Sequence, residues 1–131
     1  MNYFLERSNL FLSYYTDDFI PYDDLIMKFT SNSGGKFKDV LVDVEIEEDT
    51  TEQTDIFTIK MVFKEKVFVY VTDHWHDVEF VDKLINTALS ESGISRRFIS
   101  VIFDMDISHQ FLFAKQEQVD SFLKKYLLRR Y

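Results

Sequence analysis

The chain has no cysteine, so it can form no disulfide, offer no thiolate to a metal and use no thiol nucleophile. That suits a reducing compartment such as the cytoplasm. A single proline and three glycines rule out a linker-dominated or low-complexity polymer. Nothing approaches the ~18 uninterrupted apolar residues of a membrane span. The opening "MNYFLERSNLF" carries Glu6 and Arg7 where a signal peptide would be apolar. Positive charge is also scarce: 15 Lys and Arg face 23 Asp and Glu, for a formal net charge of -8. A sequence pI near 4.8 argues against direct nucleic-acid binding, since neutralising phosphates needs clustered cations. It favours a cationic partner instead.

What is abundant is aromatic. The 131 residues include 14 Phe and 7 Tyr among 46% apolar residues, enough for one domain over residues 1–131 with an aromatic core. "IPYDDLIMKF" (Ile20–Phe29) reads as a short helix. Pro21 opens it, Asp23 and Asp24 complement the N-terminal dipole, and Leu25, Ile26 and Phe29 make one apolar face. "NLFLSYY" (Asn9–Tyr15) fits either an edge strand or the start of a longer helix.

Alternation follows the glycine pair at Gly34–Gly35. Val40, Val42, Val44 and Ile46 point one way, and Asp39, Leu41, Asp43, Glu45 and Glu47 the other. "TDIFTIKMVFK" repeats the pattern with Phe57, Ile59, Met61 and Phe63 inward, and "EDTTEQTD" joins the two strands as an antiparallel hairpin. "KVFVYVT" (Lys66–Thr72) is apolar on both faces and is expected at the centre of a sheet. A helix is expected over Val78–Ser92, with Asp77 as N-cap and Gly93 as its stop. "RFISVIF" and "HQFLFA" read as a second hairpin around "DMDIS", and Glu117–Arg130 as a last helix. The order helix, three strands, helix, two strands, helix predicts an α+β fold with a mostly antiparallel five-stranded sheet.

The clearest functional signal is electrostatic. Residues Asp39 to Asp55 hold eight acids and no Lys or Arg, while outside this window fifteen acids face fifteen bases. All of the net charge therefore comes from seventeen residues. Asp43, Glu45 and Glu47 would share one strand face at steps of about 6.6–6.8 Å, near the spacing of phosphates along a nucleic-acid strand. A carboxylate row of this kind can occupy a cationic cleft on another protein, and it can equally be a solvated strand face that discourages edge pairing. The candidate partner-binding residues are Asp43, Glu45, Glu47, Glu48, Asp49 and Glu52.

Other clusters carry less. "TDHWHD" (Thr72–Asp77) offers His74 and His76, with Asp73 and Asp77, as metal ligands, but no third ligand at a recognised spacing. The same stretch serves as a strand-to-helix turn. "DMD" (Asp104–Asp106) lacks the glycine loop of phosphoryl-transfer sites. No GxSxG context supports a hydrolase. Phe11, Tyr14, Tyr15, Phe68 and Tyr70 could line a pocket or pack a core, and "KKYLLRR" reads as a helix end complementing the dipole. No cofactor is implied.

In size, acidity, lack of cysteine and the bare acidic hairpin, the chain resembles immunity proteins of bacterial toxin systems, including contact-dependent inhibition. That resemblance implies a non-enzymatic inhibitor that plugs the basic active-site cleft of a cognate toxin, a nuclease among the options, with Asp43, Glu45, Glu47, Glu48 and Asp49 facing it. From Pro21 to Tyr131 the element order is also similar to that of type III secretion chaperones, which implies a homodimer binding an effector segment; the additional "NYFLERSNLFLSYYTDD" departs from that family. The readings that stand are thus an inhibitor, a chaperone-like binder, and a metal-dependent enzyme using His74 and His76, in a monomer or homodimer.

Overall fold

The computed structural model describes residues 11–14, 20–49, 51, 54–74, 78–102, 109–118, 120–121 and 129–130. The first element is a short strand, β1 (Phe11–Tyr14), which settles the ambiguity at Asn9–Tyr15 in favour of an edge strand. Helix α1 (Tyr22–Ser31) follows directly on Pro21, whose carbonyl accepts from the Leu25 amide at 2.9 Å. Leu25, Ile26 and Phe29 are buried as the 3.6 period requires, and Tyr22 joins them.

Strands β2 (Leu41–Asp49), β3 (Thr54–Phe63) and β4 (Lys66–Thr72) form a three-stranded antiparallel sheet in the order β2-β3-β4. On β3 the expected inward residues Phe57, Ile59, Met61 and Phe63 are all buried. On β2 the inward row fades along the strand. Val40, just before it, is buried and Val42 and Val44 are half-buried, but Ile46 is 60% exposed. That end of the hairpin runs past the edge of the core.

The β3–β4 turn consists of Lys64 and Glu65 alone, both at positive φ (50° and 68°). Two left-handed residues are what a tight hairpin needs to match the strand twist, and here neither is Gly or Asn. Across the sheet, Val62 faces Val67, Lys60 faces Val69 and Thr58 faces Val71.

Helix α2 comprises a π-helical segment, Val81–Asn86, continuing as α-helix over Thr87–Glu91. Val81, Leu84, Ile85, Ala88 and Leu89 are buried. Gly93, at φ 76°, ends the helix as expected; an L side chain there would be strained. The expected cap Asp77 lies outside the described residues. On the wide turn, buried Asn86 pairs with the backbone of Phe98: its Nδ2 donates to the carbonyl at 2.9 Å, and its Oδ1 accepts from the amide at 2.9 Å. This amide fixes α2 against β5 (Arg97–Ile102).

Three expectations need correction. The strands do not form one five-stranded sheet. β5 and β6 (His109–Ala114) make the second hairpin, and β1 and β7 (Arg129–Arg130) flank it, giving a separate sheet of order β1-β6-β5-β7. After α2, β5 pairs with β6 and β7 and, among the described residues, not with β4. β4 is not central either: it is an edge strand. The last helix does not reach Arg130. Residues 116–118 and 120–121 are helical, whereas Arg129 and Arg130 pair with Ile102 and Val101 of β5.

The two sheets share one aromatic core. Phe29 of α1 meets Phe98 and Phe111 of the second sheet edge-on, with centroids 4.8 and 5.3 Å apart. Tyr22 meets Phe57 of the first at 5.7 Å. Phe37 lies against Phe63 at 5.1 Å. Edge-to-face packing of this kind adds directional preference to area burial.

Candidate functional site

The inner face of the three-stranded sheet is committed to the core, so any site on it must use the outer face. Pleating sends Leu41, Asp43, Glu45 and Glu47 of β2 to that outer face. All four are exposed. Asp43 lies opposite Lys60 and Glu45 opposite Thr58 in the ladder. The Lys60 ammonium comes to 3.9 Å from a Glu45 carboxylate oxygen, a contact with both side chains about half exposed. Such a surface pair contributes at most ~1 kcal/mol and cannot neutralise the row.

The expected six-residue cluster is only partly assembled. Asp43, Glu45 and Glu47 form one file. Glu48 points to the opposite side of the strand, beyond the core, where it stands across from Asp55. Like charges facing each other in a ladder are unfavourable. Asp49 takes the register position opposite Thr54, and Glu52 lies outside the described residues. The hairpin end thus carries acids on both of its faces and a file of three on the outer one.

On that same outer face β4 presents Val67, Val69 and Val71, which are 65%, 53% and 57% exposed, and β2 adds Leu41 at 70%. The sheet surface is therefore split lengthwise into an acidic margin on β2, a lysine in the middle and a bare valine margin on β4. The valine margin is missing from the reading of the sequence. Its signal lies in "KVFVYV", where apolarity on both faces fits double burial as well as it fits a bare outer face.

The other candidates disperse. Exposed His74 places Nε2 3.3 Å from an Asp73 oxygen, and the carbonyl of His74 accepts from the Tyr22 hydroxyl at 2.6 Å. His76 and Asp77 lie outside the described residues, and among the described residues no three His, Cys, Asp or Glu side chains converge. "DMD" and most of "KKYLLRR" also lie outside them. Tyr14 and Phe68 are buried in the core and Tyr70 packs against it, while Tyr15 and the Phe11 side chain lie outside what is described. Burial pushes the Tyr14 phenol well above its usual range, with Tyr22 adding to the shift. A cleft of about 660 Å³ lies between α2 and β5, with Asp82, Asn86, Arg97 and Ser100 in its wall. Asn86 is held by Phe98, and the Arg97 guanidinium donates to the carbonyls of Ile94 and Arg96, so these two side chains serve the fold.

Among the described residues no helix is long and apolar enough to cross a membrane. The chain matches no protein-family model, no curated protein and no solved structure.

Proposed function

We propose that this protein is a non-enzymatic binding module whose acidic β2 file seats in a cationic cleft of a partner protein, in the manner of an immunity protein blocking a toxin. One observation carries the reading: Asp43, Glu45 and Glu47 stand in a file on a solvent-exposed strand face, and among the described residues their ion pairing is the Lys60 contact to Glu45. Self-repulsion in such a file is a standing cost that a cationic partner would relieve, and matched charges across an interface steer and tighten association. Inhibition would be steric and electrostatic, the carboxylates taking the positions of substrate phosphates.

The experiment is a capture of cationic proteins on the wild-type chain, followed by an inhibition assay on the captured protein with the wild-type chain and with the Glu45→Lys/Glu47→Lys double variant. Wild type should form a complex and suppress the partner's activity; the double variant should bind at least about tenfold more slowly with its fold intact. Equal inhibition by both proteins would remove the acidic file from the mechanism.

A further inference from the structure

Strand β4 carries a second surface, made of residues other than those of the acidic file. The turn at Lys64–Glu65 makes Phe63 and Lys66 the closing pair of the hairpin. In an antiparallel ladder, hydrogen-bonded and non-bonded pairs then alternate, so Lys66, Phe68, Tyr70 and Thr72 direct their backbone groups to β3. Val67, Val69 and Val71 direct theirs outward, and no strand pairs with them among the described residues. Their side chains are the exposed valines of the outer face. Open amides and bare apolar side chains therefore coincide at the same three residues. An edge of this type would ordinarily carry charge, proline or a bulge to prevent pairing.

We infer that β4 pairs antiparallel with β4 of a second copy of this chain, joining two three-stranded sheets into one of six strands. Symmetry fixes the register. A two-fold axis normal to the sheet keeps both outer faces on one side, so an outward residue must oppose an outward residue. Centring the axis on Val69 puts Val69 opposite Val69 of the partner subunit, and Val67 opposite Val71 of the partner subunit. All three pairs are then of the hydrogen-bonded kind, and the valines line up as one strip.

Charge selects this edge and this occupant. Two copies meeting through β2 would press Asp43, Glu45 and Glu47 against their own kind. On β4 the one charged residue is Lys66, whose ammonium already donates to the Glu91 carbonyl at 2.8 Å. In the six-stranded arrangement the acidic files occupy the two outer margins, five strand spacings or about 24 Å apart. That exceeds the Debye length of about 8 Å at physiological salt, so a -8 chain can self-associate here without opposing its own charge. Each margin also remains open to a partner.

Sedimentation velocity on the full chain over about a hundredfold range of concentration is the test, with amide hydrogen exchange on the same samples. Wild type should approach twice the 15.7 kDa chain mass as concentration rises, with amides of Val67, Val69 and Val71 gaining protection in step. Val69→Glu, which can pair with Lys60 on its own sheet, should stay monomeric with an unchanged far-UV spectrum, as should Val69→Lys. An equimolar mixture of these two variants should recover the dimer, because opposite charges then meet on the axis. A wild-type chain that stays monomeric, a Val69→Glu chain that dimerises like wild type, or amides of these valines that exchange freely at every concentration would each overturn the proposal. The exchange measurement on wild type holds even if a variant fails to fold.

Discussion

The two edges of the three-stranded sheet share one scaffold and have opposite surfaces. β2 turns Asp43, Glu45 and Glu47 to solvent, and β4 turns Val67, Val69 and Val71. Both strands seat their other face on the same core. The difference teaches that burial is assigned to a face by its neighbours, while hydropathy is assigned to a residue by its chemistry. Where the two agree, as from Val42 to Glu45 of β2, alternation identifies the strand and its orientation. Where they disagree, as along β4, the disagreement marks a surface still waiting for something to cover it.

The comparison can be attacked first from beneath. Met61 lies fully buried on β3, between the two edges, and faces Val42 on one side and Phe68 on the other. Met61→Ala should cost about 2–5 kcal/mol of stability in a denaturant titration. A loss under 1 kcal/mol would mean that the inner face does not bind the two edges into one unit. A smaller effect of opposite sign is expected at the turn that sets the register of β4. Glu65 sits at φ 68°, so Glu65→Gly should relieve left-handed strain and stabilise by about 1 kcal/mol. Destabilisation there would place the β3–β4 register, and with it the outward row of valines, in error.

Val71→Thr should shift monomer stability by no more than about 0.5 kcal/mol at concentrations too low for association, since the residue is 57% exposed. A larger loss would show that the valine margin is packed after all. Smallest at neutral pH is Tyr14→Phe, a control in the other sheet. The buried phenol is held neutral in the fold, whereas the unfolded chain ionises it near its ordinary value of about 10. Its contribution is therefore fully present below pH ~10 and falls as pH rises beyond it. Tyr14→Phe should flatten the alkaline slope of stability; an unchanged slope would assign it to other groups.

How much of this could be read from residues alone differs by element. Strand alternation located the β2–β3 hairpin, and Gly93 located the end of α2, because period and turn chemistry are local properties. The division into two sheets was not legible, since it depends on β1 finding β6 across most of the chain and on β7 turning back to β5. Nor was the role of Asn86. One polar residue beside Leu84, Ile85, Ala88 and Leu89 was a detectable irregularity, but only the fold shows that it closes on Phe98. The turn at Lys64–Glu65 carries no glycine or asparagine to announce it. Of the candidate site, the sequence displayed the acids of β2 with their shared face, and concealed the valines of β4 behind an ordinary core composition.

The central claim, that the β2 file exists to meet a cation-rich protein, is tested most directly by the ionic-strength dependence of association. The logarithm of the association rate for a cationic partner captured by this chain should fall steeply with added salt for wild type and stay nearly flat for Glu45→Lys/Glu47→Lys. Parallel slopes for the two proteins would contradict it.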